Sequence, residues 1–220
     1  MRETKRDMEI KEFLSKSYAT TSVLCDLFFN GSLRAGQSRL QKLYENDYLM
    51  RKRAFVSQEF AYWSGSRRNI KSSHLAHRLM ITETFSKIKQ LEGIDILNYD
   101  FEFSFHEIVA DIRMEVMYCG KKFVLLVECE YSKYFDTTKY DNFYNKYVEN
   151  PSEYYPYFMR YPSIIAVTDR TIPPSKVPDN RVSNRIVNVH ENYDNINDIR
   201  QHLSGFFKNQ LSVITEAPKT

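Results

Sequence analysis

Asp111, Glu128, Glu130 and Lys139 are the residues of this 220-residue chain whose types and spacing could do chemistry. Asp111 lies within the strand-like segment Ile108–Tyr118. Glu128 follows 17 residues later, directly after the most apolar run of the chain, Val124-Leu125-Leu126-Val127. A carboxylate at the end of a buried strand is costly unless it meets a cation or hydrogen-bond donors. Cys119-Gly120-Lys121 makes a tight hairpin, which would bring Asp111 and Glu128 onto neighbouring strands. Glu130 falls on the same side as Glu128 if the strand continues. Oxygen ligands so arranged favour Mg2+ or Mn2+, ions that could activate water against a phosphodiester. Lys133 and Lys139 are candidate cations for charge that develops in a transition state, Lys139 being placed on the following helix. The same carboxylates have a plainer reading, a strand-end cluster paired with Lys121, Lys122 or Arg113.

The elements that would position these residues follow from periodicity. Ser66–Ser73 is polar and basic and reads as a linker. A helix over His74–Glu92 carries the stripe Leu75, Leu79, Phe85, Ile88 and Leu91, and Gly93 ends it. Strands are expected over Ile94–Phe105, Ile108–Tyr118 and Lys122–Cys129, then a helix over Thr138–Glu149 that Pro151 prevents from extending. Ser163–Thr168 and Arg185–His190 read as further strands, and Asn195–Gln210 as a closing helix. The order describes a mixed sheet flanked by helices, without internal repeats. Tyr154–Pro162 could stack on exposed bases beside Arg160, but such a segment more often packs as a loop over a core.

Ahead of this lies Thr20–Gly65, which reads as a winged helix-turn-helix. Thr20 or Thr21 can cap a helix ending near Phe29, and Asn30-Gly31 is a helix-stopping turn because both residues tolerate positive φ. Ser32 can cap a second helix, Leu33–Asn46, with Leu33, Leu40, Leu43 and Tyr44 on its apolar face and Ala35 and Gly36 allowing close approach. Its other face carries Arg34, Gln37, Ser38, Arg39 and Lys42, donors that suit phosphates and base edges. Tyr48-Leu49-Met50 begins a strand, Arg51, Lys52 and Arg53 stand where a wing would meet a phosphate backbone, and Phe55-Val56 through Phe60–Trp63 is the returning partner. Double-stranded DNA is the partner this pattern predicts; a small interaction module with a solvated basic face is the plainer alternative.

Bulk properties bound these readings. Aromatic residues at 15% and charged residues at 27% describe a globular chain, not a disordered one. Residues 1–68 hold 13 Lys/Arg against 8 Asp/Glu, the remainder 18 against 20, so a basic front precedes a slightly acidic back. Cys25, Cys119 and Cys129 are odd in number and sit in apolar surroundings, which predicts buried, reduced thiols and a cytoplasmic protein. No Cys-x-x-Cys spacing suggests zinc, and His74 and His77 share a helix face with no further ligand spaced to join them. Met1–Glu12 is charged and has no signal-peptide core, and no apolar run is long enough to span a bilayer, so no membrane partner is expected. Nothing is placed to activate a nucleophilic tyrosine among the 16 tyrosines.

The second half resembles the PD-(D/E)xK nuclease-like fold: helix, three-stranded meander, helix, strand. The two halves together resemble the replication-relaxation family of plasmid and conjugative-element proteins, over roughly residues 10–210 and on short motifs. The resemblance implies an α+β chain: a winged helix-turn-helix at residues 1–66, an α/β PD-(D/E)xK nuclease-like domain with a mixed sheet at 74–211, and a flexible tail at 212–220. It implies Asp111 as the motif aspartate, Glu128 as the second acidic residue, Glu130 as its companion and Lys139 as a lysine displaced onto the helix. Ala110 stands where the motif has proline, and Glu130 where it has lysine. Two functions follow. One is site recognition on duplex DNA for replication, relaxation or mobilisation, with Mg2+- or Mn2+-dependent nicking. The other is a non-catalytic regulator or relaxosome accessory, whose core serves homodimerisation or docking of replication proteins.

Overall fold

The computed structural model describes residues 2–54, 59–65, 72–130, 135, 137–158, 160–169, 182 and 184–215. Among them the chain is α+β, with seven helices and eight strands, and it divides into two units, Met1–Ser86 and Lys87–Thr220.

The first unit begins with α1 (Lys5–Lys16), an element hidden in the sequence because its apolar residues are scattered among charges. Thr4 and Asp7 form a capping box at its start, and Ile10, Phe13 and Leu14 are buried. β1 (Ala19–Thr20) leads into α2 (Thr21–Phe28), whose first turn is capped by the Thr20 hydroxyl accepting from the Val23 N–H at 3.3 Å. Asn30 and Gly31 both take positive φ, as the turn requires. In α3 (Leu33–Glu45), Gly36 packs against α2 so closely that a Cβ there would lie 2.2 Å from Cys25 Sγ. The hairpin strands β2 (Met50–Arg53) and β3 (Phe60–Trp63) complete a three-stranded antiparallel sheet in the order β1-β3-β2. Phe55-Val56, placed in the returning strand by sequence, lie outside the described residues.

α4 (Ser72–Lys89) is shifted towards the N-terminus relative to the expected His74–Glu92, and Gly93 follows it with positive φ. Most of α4 belongs with the first unit, not with the domain expected from residue 74. Leu75 and Leu79 share a core with Tyr18, Ala54 and Ala61, and the Thr82 hydroxyl donates to the Tyr18 carbonyl at 2.7 Å.

The second unit is built on a five-stranded mixed sheet in sequential order. β4 (Ile94–Phe105), β5 (Ile108–Tyr118) and β6 (Lys121–Glu130) form an antiparallel meander. β7 (Ser163–Thr168) and β8 (Ile186–His190) add parallel to β6 and to each other. Between β6 and β7 run α5 (Thr138–Glu149) and α6 (Pro151–Phe158), and α7 (Asp198–Thr215) closes the unit. Pro151 does end α5, but it also opens α6, since proline at a first helical position forgoes only an N–H that has no intrahelical partner. The expected loop over Tyr154–Pro162 is therefore largely helix, with Tyr154, Phe158 and Tyr161 buried under the sheet beside Tyr140 and Phe143. Cys119 is exposed, contrary to the expectation of three buried thiols. It and Gly120 form the hairpin turn with φ of 48° and 73°, a position that must face solvent. No described helix is long and apolar enough to cross a membrane.

Candidate functional site

The β5–β6 ladder ends at Ile112↔Val127, one residue short of Asp111 and Glu128. Beyond it the Asp111 carboxylate takes the place of a backbone acceptor: the Cys129 N–H donates to Asp111 Oδ2 at 2.7 Å. Glu128 is buried on the sheet face that α5 covers. Its Oε1 accepts from Lys139 Nζ and from the Tyr140 hydroxyl, the latter at 2.5 Å. Lys139 Nζ also donates to the Val109 carbonyl at 3.0 Å, so one ammonium ties the start of α5 to both strands. Of the residues expected from sequence, Asp111, Glu128 and Lys139 come together. Glu130 sits opposite Thr168 at the end of β6 and makes no hydrogen bond or ion pair with this group among the described residues. Lys133 lies outside the described residues. Arg113 and Lys122 pair with Glu115, at 2.7 and 2.5 Å, and not with the strand-end carboxylates.

Burial raises the Glu128 carboxyl above the ordinary glutamate range. Lys139 and the Tyr140 hydroxyl oppose that rise, and neighbouring Asp111 adds to it. Tyr140 is fully buried, and its hydroxyl is raised well above the ordinary tyrosine value by burial and by Glu128, which keeps it a donor. Sequence reading missed Tyr140, although it adjoins Lys139. The signal was a tyrosine at the start of a helix facing a strand-end carboxylate, where its ring can join the core and its hydroxyl can meet the acid. Two carboxylates and a backbone carbonyl are hard oxygen donors, a set that fits Mg2+ or Mn2+ in kind. Among the described residues no group of three or more His, Cys, Asp or Glu gathers as a metal site.

The first unit places its basic residues in two environments. Arg34, Gln37, Ser38 and Lys42 are exposed on α3, and Ser32 leaves the first turn of that helix without a side-chain cap. Arg39 points elsewhere. Its Nε donates to Asp7 Oδ1 at 2.8 Å, its second guanidinium arm pairs with Asp7 Oδ2, and Asp7 is wholly buried. The expectation that Arg39 reads a base is therefore corrected: it is the counter-ion of the α1 cap. Helical phase explains this, because at about 100° per residue Arg39 sits beside Gly36 and Leu43 on the packed side. Leu33, assigned to the apolar face, is 52% exposed although it shares the helical phase of buried Leu40; it is the first residue of the helix. Tyr44, also assigned there, is exposed as well and carries the Arg51 guanidinium on its ring, 4.1 Å from the centroid.

Arg51 lies between the rings of Tyr44 and Phe60, 4.1 Å from each centroid, and donates to Gln41 Oε1 at 2.5 Å. It bolts β2 to α3, and Lys52 and Arg53 follow it on β2 with Arg53 exposed.

No family model matches the chain, and no curated protein matches it. Among solved structures, protein VC1899 from Vibrio cholerae is similar at 12% identity and a TM-score of 0.35, over 92% of this chain and 51% of that one. The chain thus spans about half the length of that protein.

Proposed function

We propose that this chain binds duplex DNA through its first unit, acting as a winged helix-turn-helix, and carries behind it a PD-(D/E)xK nuclease-like core, in the manner of replication-relaxation proteins of mobile elements. The observation that carries the DNA reading is the Arg51 bolt. It holds the basic hairpin strand against α3, so that Arg34, Gln37, Ser38 and Lys42 meet the major groove while Lys52 and Arg53 hold the backbone. The charge of residues 1–68 supports the same reading.

In the core, the lysine missing from the third motif position is supplied from α5: Lys139 reaches Glu128. Asp111, Glu128 and the Val109 carbonyl would hold a magnesium or manganese ion, which when bound supplies an activated water and a polarised phosphodiester oxygen. Tyr140 orients Glu128, and Lys139 offsets the charge of two neighbouring carboxylates. A specific observation favours the non-catalytic accessory reading instead. Glu128 Oε1 is doubly engaged and Asp111 Oδ2 completes the strand pairing, which is what a purely structural cluster also requires.

The test is selection of duplexes from a random pool by the full chain, repeated with Arg34→Ala. Enrichment of one site, with about 1–3 kcal/mol of discrimination lost at a single base pair in the variant, is the expected result. No enrichment, or enrichment untouched by the substitution, would overturn the reading.

A further inference from the structure

A second cleft lies in the same unit, away from the carboxylates. Lys121 opens β6 and Ser163 opens β7, so the cleft sits at the N-terminal ends of these paired strands, while Glu128 lies near the C-terminal end of β6. Four cations line it, Lys121, Lys122, Arg160 and Arg185, with no carboxylate among its described lining residues. That convergence occurs in a unit with 16 Lys/Arg against 19 Asp/Glu, so background charge does not account for it. Lys122 is shared with Glu115 at 2.5 Å. Arg185 is half-buried with its guanidinium 4.5 Å from the Phe206 ring centroid, and among the described residues that guanidinium makes no hydrogen bond or ion pair. Stacking fixes the plane of the fork and leaves its N–H edge for a ligand.

We propose that this cleft binds a phosphate group, with Arg185 as the fork, Arg160 and Lys121 as flanking charges, and Phe206 as the residue that positions Arg185. An arginine fork suits both carboxylate and phosphate. The two arginines, neither in an ion pair among the described residues, favour a phosphomonoester, which carries about −1.5 to −2, over a single carboxylate. Burial lowers the Arg185 pKa against the pull of Tyr144, Tyr161 and Tyr147, and a bound anion would favour the charged fork. The cavity is about 230 Å³, below the roughly 300–1,000 Å³ of pockets for drug-sized ligands. It therefore takes a phosphate with its sugar and not a whole dinucleotide. The proposal stands independently of DNA binding by the first unit.

The test is calorimetric titration of the full chain with ribose 5-phosphate, AMP and adenosine, using wild type, Arg185→Gln and Phe206→Leu. Binding of both phosphates but not adenosine is expected, weakened about tenfold by Arg185→Gln and severalfold by Phe206→Leu. Adenosine binding as well as AMP, no heat with any phosphate, or equal affinity in wild type and Arg185→Gln would overturn the proposal. Arg160→Gln, at an exposed position, carries the test if Arg185→Gln fails to fold. Competition against AMP by a short single-stranded oligonucleotide separates the two sources of phosphate: displacement assigns a nucleic-acid strand, and persistence of bound AMP assigns a free nucleotide.

Discussion

Replacing Arg39 by methionine keeps the aliphatic stem on α3 and removes the guanidinium from a buried carboxylate. Asp7 loses two charge-assisted bonds, one of 2.8 Å from Nε and one from the terminal nitrogen, but keeps the Thr4 N–H at 2.6 Å and the Thr4 hydroxyl at 2.7 Å. Bonds to charged groups contribute about 1.5–3 kcal/mol each, and the Arg39 side chain is 23% exposed, so screening and the surviving cap bonds hold the loss near 2 kcal/mol. In a domain of this size that is about 8–16 °C in Tm. The Arg39 bond above all holds the Asp7 carboxyl well below the usual carboxylate range. The folded state thus binds fewer protons than the unfolded one, and the stabilisation is present above about pH 4 and lost as pH falls towards the depressed value. Thermal melts at neutral pH should separate wild type from Arg39→Met, with the gap narrowing steadily on acidification. Identical melts at neutral pH, or a gap indifferent to acid, would refute the placement. So would a variant that melts like wild type but loses discrimination between DNA sites.

Gly36→Ala tests the α2–α3 contact: helix propensity alone favours alanine by about 1 kcal/mol, whereas a Cβ 2.2 Å from Cys25 Sγ should make the variant about 1–3 kcal/mol less stable in urea denaturation. Glu128→Gln should flatten the pH dependence of stability. Burial raises the Glu128 pKa, so its contribution is full below about pH 4.3 and is lost as pH rises through the folded value. Denaturation curves on both sides of that range report it, and a wild-type slope persisting in Glu128→Gln would count against a strained carboxyl. Asp111→Asn keeps an acceptor for the Cys129 N–H, so the fold should survive while manganese binding measured by calorimetry is lost. Absence of binding in wild type would leave the core a scaffold.

Much of the second unit was legible because its periodicities are local. The alternating runs give β4 and β5, the continuous apolar runs give β6 and β7, and Thr138 with Glu149 bounds α5 as expected. The meeting of Asp111 with Glu128 followed from one hairpin, and Lys139 from being the next cation on a helix. What escaped depends on partners distant in sequence. α1 was obscured because only Ile10, Phe13 and Leu14 mark its face among charges, and Asp7–Arg39 spans 32 residues. α6 was missed because Pro151 read as a stop and Tyr154–Pro162 as a loop, although Pro151 opens the helix and burial of Tyr154 and Phe158 holds Pro156 within it. The Arg160–Arg185 cleft joins residues that no local pattern connects.

The central claim is that α3 and the β2 strand together hold duplex DNA. Its most direct test is the salt dependence of duplex affinity, measured by fluorescence anisotropy for wild type and for an Arg34→Ala, Lys42→Ala, Lys52→Ala variant. On that claim Lys52 meets a phosphate, so the slope of log K against log salt should fall by about 0.9 and affinity should drop on every duplex, while loss of Arg34 from the major groove removes a further part of the affinity on the selected site alone. The same slope and the same affinity in both proteins would contradict the account.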